Sequence, residues 1–325
     1  MDLKQLEYIV SIDNEKSISK AADKLFITQS ALNQQLLKLE KELGVQLFVR
    51  RSHAMTPTFA GKIYLSSARR MLDMKNETYK IIHDIADEQV GEISLAYTPE
   101  RGSILFSEIY PKFHRMYPGI TFDIHESRVR GMETLLSQHM VDIAFMSHIK
   151  GAENPDFVYD DYHTEHMVLG VPLTNPLSKL AGEDSAHTLP PVDIRLFRNE
   201  CFVLMNHETL MRTMIDSLFQ DAGFHPDVLF ESSSTRTLFN MAAQQICSAF
   251  FPESYVDPAA PIAYFSIPQN RPYASWVLSA VRANGTYLTA SEKYLIFLAK
   301  ENSVLHQNDK YMHTPQDKPQ QNHSA

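Results

Sequence analysis

Residues 17–44 read SISKAADKLFITQSALNQQLLKLEKELG. Two segments with helical apolar spacing stand here, separated only by Phe26, Ile27 and Thr28. Ile18, Ala21, Ala22 and Leu25 form one inward stripe, and Leu32, Leu36, Leu39 and Leu43 form the other. Ser17 and Thr28 are placed to accept the first free backbone N–H groups of the two helices. Gly44 is placed to end the second in the left-handed conformation. A short helix, a tight turn and a second helix make a helix-turn-helix. Away from the leucines, the second helix carries Gln29, Ser30, Asn33, Gln34, Lys38 and Lys41. Glutamine and asparagine amides pair with adenine edges in the major groove of DNA, and capped helix N-termini suit phosphates. Taken alone, the stretch also fits an ordinary polar helix face.

Upstream, Leu3, Leu6, Ile9 and Val10 share one face of a helix that starts at Asp2, with Gln5 three residues on as a capping partner. Downstream, residues 45–57 read as two short extended pieces joined by a basic turn, a wing whose Arg50, Arg51 and His53 suit phosphate or minor-groove contact. From Thr58 to about Asp87 the pattern is one long helix. Its Tyr64, Ser67, Met71, Met74, Thr78, Ile81 and Ile85 alternate three and four apart, a seam expected to pair two chains. The opposite face, with Arg69, Lys75, Lys80 and Asp84, is charged. Beyond Gly91 strands and helices alternate twice, which predicts two α/β lobes with parallel sheets. The first lobe takes residues of about 91–160 and 267–303, the second about 162–266. Helices are expected to open at Ser103 and Thr235, and to cover Met132–Met140 and Ser291–Ser303. The polar run from His306 reads as a disordered tail.

A chain of 325 residues exceeds one ordinary core. Its net charge of −9 is unevenly spread: Lys and Arg outnumber Asp and Glu by 11 to 7 in residues 1–72, so a basic head sits on an acidic body. The two cysteines make no disulfide framework and fit a reducing cytoplasm. Cys247 reads as a small buried apolar residue rather than a redox sensor. Charges interrupt the first 16 residues too often for a signal peptide, and no apolar run approaches the roughly 20 residues of a membrane span. A cytoplasmic chain without a membrane partner is expected.

The N-terminal region resembles the LysR-type transcriptional regulators. MDLKQLEYIV, the block from Ser17 to Arg50 and the PTFAG that follows carry the resemblance. IYPKFHRMYPGI, VDIAF, LFQDAGFHPDVLFESSS and FFPES extend it to about residue 300. The resemblance implies an α+β chain: a winged helix-turn-helix (1–57), a linker helix (58–87) that makes dimers or tetramers, and a two-lobed periplasmic-binding-protein-like domain (91–303). It implies double-stranded promoter DNA and a small-molecule effector as partners, no cofactor and no catalysis. Ser30 stands where the family usually has proline, and Gln34 where arginine is common. Gln245 and Cys247 stand where two glycines are usual. These two pairs put the preferred DNA sequence and the pocket wall outside what the resemblance carries over.

In open α/β sheets, ligands bind beyond the carboxyl ends of strands. Thr98, Pro99, Glu100, Arg101 and Ser103 follow the first body strand. Ser127 and Arg128 follow the next, and Met146 and Ser147 the third. Met205, Asn206, Ser234 and Thr235 come from the second lobe. If both lobes face one cleft, helix N-termini and the two arginines favour an anionic effector, a small carboxylate. Glu100 leaves room for a ligand amine. Other readings stay open on the residues. The head could mediate pairing instead of binding DNA. The string from Asp160 to His166 places Asp161, His163 and Glu165 on one strand face, as a metal site would, although a strand passing between lobes explains it too. No Cys-x-x-Cys, Gly-x-Ser-x-Gly or glycine-rich phosphate loop is present.

Overall fold

The structure, a computed structural model, describes residues 2–51, 54–86, 90–268 and 274–312. The head opens with α1 (Leu3–Glu15), whose first turn is capped by Asp2 accepting from the Gln5 N–H at 2.7 Å. Helices α2 (Ile18–Lys24) and α3 (Gln29–Leu43) follow, capped by Ser17 and Thr28, and Gly44 ends α3 at φ 71°. Ile9, Ile12, Ala21, Leu32, Leu36 and Leu39 bury most of the apolar stripes in one small core, while Leu3 and Leu43, expected to face inward, lie exposed near the ends of their helices. The wing is the antiparallel pair β1 (Phe48–Arg51) and β2 (Ala54–Pro57), and Leu47 and Phe48 join the same core. Helix α4 (Phe59–Ile85) has 27 residues, about 40 Å at the usual rise.

The first lobe contains β3 (Val90–Tyr97), α5 (Arg101–Met116), β4 (Gly119–Glu126), α6 (Val129–Ser137) and β5 (Ile143–His148). Strand β6 (Phe157–Pro172) runs unbroken for 16 residues into the second lobe. That lobe holds the short α7 (Ser185–Thr188), β7 (Cys201–Met205), α8 (Leu210–Ala222), β8 (Asp227–Ser232), α9 (Thr235–Ala243), β9 (Ser248–Pro252) and β10 (Ile262–Ser266). The chain returns through β11 (Ser275–Ala283) and closes with α10 (Ala290–Met312).

The strand order is β4-β3-β5-β11-β6-β9-β7-β8, with β10 also on β6. β3 lies parallel between β4 and β5, and β7 lies parallel between β8 and β9. The expectation of parallel sheets holds for these triplets only. β6 pairs antiparallel with β11 in its first half and with β9 and β10 in its second. β6 and β11 cross between lobes without a helical return, so antiparallel pairing is the geometry open to them.

Three boundaries differ from expectation. α5 starts at Arg101, two residues before Ser103, and runs on through Pro111. α6 spans Val129–Ser137, and His139 just after it takes a left-handed φ of 51°. α10 continues past Ser303 to Met312, so the polar run from His306 is helical that far, and the rest of the expected tail (313–325) lies outside the described residues. Among the described residues no helix is long and apolar enough to cross a membrane.

Candidate DNA-binding and effector-binding sites

Gln29, Ser30, Gln34 and Lys38 are exposed on α3, while Asn33 is half-buried. The two caps are already engaged. The Thr28 hydroxyl accepts from the Ala31 N–H at 3.2 Å, and Ser17 accepts from the Lys20 N–H at 3.4 Å. Ser30 Oγ lies 3.2 Å from Thr28 Oγ1, so its hydroxyl supports the cap. No acidic residue stands in the first turn of α3, which leaves the positive end of its dipole uncompensated. Arg50 is exposed on β1, opposite Met55. Arg51 pairs with Ala54 through the backbone, and His53 lies outside the described residues.

Sequence reasoning missed Glu40. Its Oε1 accepts from the N–H groups of Leu47 at 2.7 Å and Phe48 at 3.2 Å. That carboxylate fixes the wing to α3. A lone acid beside a leucine stripe gave no signal, because its partners are backbone groups.

On α4 the charged face is turned toward the chain itself. Arg69 binds Asp13 at 2.7 Å and Asn14 at 3.0 Å, and Lys75 binds Glu7 at 2.8 Å, all on α1. Lys80 reaches Asp142 and, at 3.2 Å, Glu292 in the body. Asp84 accepts from Tyr287 Oη at 2.6 Å and the Ala290 N–H at 2.9 Å. Of the expected seam, Met71, Met74 and Thr78 are exposed, Tyr64 packs against the head core, and Ile81 is half-buried. Phe59, Ile63, Met71, Met74, Tyr79 and Ile82 are apolar side chains left exposed along α4.

The cleft brings together part of the expected set. Glu100 Oε2 accepts from the Thr235 N–H at 3.0 Å, joining the start of α5 to the N-terminus of α9. Tyr255 Oη reaches the same oxygen at 3.5 Å, and burial foremost, then the Glu100 charge, pushes the Tyr255 hydroxyl pKa up. Arg101 lies 3.4 Å from Glu165, which is buried and also accepts from Ser254 Oγ at 2.6 Å. The Nε of Arg101 is buried without a hydrogen-bond partner. Arg128 pairs with Glu208 of the second lobe. Ser234 caps α9 through the Thr237 N–H at 3.3 Å.

Other expected residues are used locally. Thr98 accepts from the Gly102 N–H at 3.1 Å. Ser103 turns its hydroxyl back to the carbonyls of Pro99 and Glu100. Ser127 donates its N–H to the Tyr97 carbonyl, and Asn206 donates its own to Ser232. Ser147 is half-buried. Met146 is 2% exposed and belongs to the core beneath α6, which corrects its placement in the cleft. It faces inward because β5 is covered on that side by Met132 and Leu136. Glu165, Glu208, Ser254 and Tyr255 were missed as cleft residues, since only the fold brings them to Arg101, Arg128 and Glu100. On β6 a register shift opposite Leu278 and Ser279 leaves Tyr162 out of the ladder, which breaks the alternation that would align Asp161 with His163 and Glu165.

Residues 3–62 match the bacterial regulatory helix-turn-helix proteins of the lysR family, and residues 86–301 match the LysR substrate binding domain. The chain belongs to the LysR-type transcriptional regulators. The HTH-type transcriptional regulator YcgK of Bacillus subtilis (strain 168) is 26% identical over 301 residues, 89% of this chain and 92% of that protein. A full-length OxyR from Pseudomonas aeruginosa shares the fold with a TM-score of 0.70 at 20% identity, over 94% of this chain and 95% of that one. CbnR complexed with its target DNA gives 0.56 at 18% identity, over 93% and 100%. The chain is thus a ligand-responsive, DNA-binding regulator with an effector-binding domain, and its family is one of regulators rather than enzymes.

Two departures from the LysR pattern have a local explanation. Gln245 takes φ 63°, the left-handed region that favours glycine. Its amide compensates: Oε1 accepts from the Thr174 N–H at 3.0 Å, and Nε2 donates to the Pro261 carbonyl at 2.6 Å. Cys247 is buried, and burial pushes its thiol pKa up to about 11, with Cys201 adding to the rise. A thiol held so far from ionisation is a packing residue.

Between α4 and the first lobe of the regulator lies a cavity of about 710 Å³, lined by Asp73, Glu77, Lys80, His139, Asp142 and other residues. Asp73 Oδ2 is buried there without a partner. Desolvation pushes the Asp73 pKa from 3.8 up to about 6, although His139 and Arg69 oppose the shift. The folded pKa is raised, so the favourable contribution is complete below pH 3.8 and is lost as pH rises through about 6. Asp73→Asn should therefore stabilise the chain at pH 7.5 by about 1–2 kcal/mol after allowance for solvent screening. Melting midpoints from pH 7.5 toward 4 check this: the advantage of the variant should hold down to about pH 6 and shrink below it, toward pH 3.8.

Proposed function

We propose that this regulator works as a dimer joined through exposed apolar side chains of α4, possessing a head (1–57), a linker (58–87) and a sensing domain (91–303), in the cytoplasm. α3 enters the major groove, with Gln29, Ser30, Asn33, Gln34 and Lys38 toward the DNA, while the wing basic residues Arg50, Arg51 and His53 meet the backbone. The effector is a small anion, a carboxylate, held between the lobes. One observation carries the DNA reading: the polar face of α3 is exposed at a capped N-terminus free of acid, while Leu32, Leu36 and Leu39 are buried. The anionic reading is supported by the company of Arg101, Arg128 and the Thr235 N–H, each of which already holds a carboxylate.

Gel-shift titration against DNA upstream of neighbouring genes, over a range of salt, tests the head. Arg50→Ala should weaken binding to all sequences and lower the salt slope by about one. Gln34→Ala should cost about 1–3 kcal/mol on the preferred site alone. Equal losses on every sequence would exclude base reading by Gln34. A chain that keeps its partners after Arg50→Ala and Arg51→Ala would be using its head for pairing instead. Two heads on one dimer require half-sites spaced by whole helical turns.

A further inference from the structure

The two lobes are clasped across the cleft by carboxylates of the chain itself, and one of them sits where an anionic effector has most to gain. Glu100 leaves the first lobe at the residue before α5 and places Oε2 3.0 Å from the Thr235 N–H, at the start of the nine-residue α9. The Thr235 side chain is buried, and the Tyr255 hydroxyl approaches the same oxygen at 3.5 Å. The Arg236 guanidinium lies over the Tyr255 ring at 5.1 Å and adds positive charge nearby. Arg101, the next residue, turns to Glu165 at 3.4 Å, with its Nε left without a hydrogen-bond partner. The surroundings thus offer one carboxylate a backbone donor, a hydroxyl donor and the positive end of a helix dipole. We propose that Glu100 is a tethered stand-in for the carboxylate of the effector, an autoinhibitory clasp that the effector must displace to reach α9.

This deepens the reading of the cleft as an anion site and rests on it. A tethered group competes at an effective concentration in the millimolar range without any loss of freedom of association. A clasp closed nine-tenths to 99% of the time weakens the apparent affinity of an anion by about 10–100-fold. Displacing it frees Glu100 from α9 and removes one tie between the lobes, with Arg128 and Glu208 left as another. Ligand entry is thereby coupled to lobe movement.

The test uses the full-length chain, its Glu100→Ala and Glu100→Gln variants, and acetate as the probe, with chloride at equal ionic strength as the control. Trp276, the single tryptophan, stands opposite Glu165 in the β6–β11 ladder and reports through its fluorescence, while the melting midpoint gives a second readout. Glu100→Ala should bind acetate saturably at a concentration at least tenfold lower than wild type, and Glu100→Gln should fall between. If the alanine variant does not fold, the glutamine variant must still bind more tightly than wild type. Equal acetate dependence in wild type and variants, or a response no greater than to chloride, overturns the clasp. A panel of dicarboxylates on the wild-type chain tests the anionic effector separately. Acetate rescue without a wild-type response leaves the Glu100 hold on α9 standing and removes the anionic effector. A wild-type response that Glu100→Ala leaves unchanged does the reverse.

Discussion

Lys80→Met should detach the linker helix from the body and lower stability by about 2–3 kcal/mol. Lys80 sits between two carboxylates, Asp142 and Glu292, and the Glu292 side chain is only 2% exposed. Burial by itself would lower the Lys80 pKa, but the two carboxylates outweigh it and hold the ammonium above its usual value. Methionine keeps the stem and removes the charge, so the acids are left facing one another. The cost stays below that of a fully buried pair because both acids keep other donors. Glu292 accepts from Thr289 N–H and Oγ1, and Asp142 from the Ser94 N–H. Lys75→Met is the control, since the exposed pair with Glu7 is worth less than about 1 kcal/mol. Hydrogen exchange gives the local readout. The N–H groups of Tyr287 and Ala290, which donate to Glu77 and Asp84 on α4, should lose protection in Lys80→Met and keep it in Lys75→Met. Unchanged exchange and an unchanged melting midpoint would show that the linker does not depend on this contact.

The functional consequence follows from where the contact lies. α4 is tied to the head through Arg69 and Lys75, and to the body through Glu77, Lys80 and Asp84. A lobe movement that shifts Asp142 or Glu292 therefore acts directly on the helix that carries the DNA-binding head. Loss of Lys80 should uncouple DNA affinity from effector while leaving the α3 surface intact.

The head was legible in the sequence because its signals are local. Caps at Asp2, Ser17 and Thr28, a stop at Gly44 and leucines at helical spacing each need only neighbours within a turn or two. The body was legible in its element types for the same reason, and its two-lobed order followed from the doubled strand–helix pattern. What escaped were pairings between distant residues. Arg101 and Arg128 read as free cations because Glu165 and Glu208 come from elements far along the chain. The partners of the charged face of α4 were not legible because helical periodicity does not say which charges find acids on α1 or on the body. Met146 read as a cleft residue because the strand was expected to end there, whereas β5 runs on to His148 and Met146 faces the core. Gln245 shows a further limit: a left-handed position without glycine is visible only once its compensating hydrogen bonds are seen.

Gly61→Ala should disrupt the head more than its size suggests. A Cβ at this position would lie 2.0 Å from the carbonyl oxygen of Leu47, a backbone atom with little freedom to move. That oxygen accepts from the Thr58 N–H at 2.9 Å and the Thr58 hydroxyl at 3.3 Å, while the Leu47 N–H is held by Glu40. The Leu47 side chain is 1% exposed in the head core. One methyl group therefore has no cheap exit: either the linker helix moves off the wing, breaking the Thr58 cap, or Leu47 moves, pulling on Glu40 and through it on α3. Overpacking of this kind costs about 3 kcal/mol when backbone must shift. The expected result is lost protection of the Leu47 and Phe48 amides in hydrogen exchange. DNA affinity should fall by about 100-fold as the wing leaves its register with α3, the equivalent of about 2.7 kcal/mol. Gly44→Ala is the comparison. Gly44 has φ 71° but nothing within 4 Å of a Cβ, so that change strains the end of α3 without pushing on the wing. If the two variants lose stability and DNA affinity alike, the close approach of Gly61 to Leu47 does not set the wing. If Gly61→Ala alone releases Leu47 and Phe48, the glycine of the PTFAG segment is required by contact between the linker helix and the wing, and the geometry of the DNA-binding surface depends on where the linker lies.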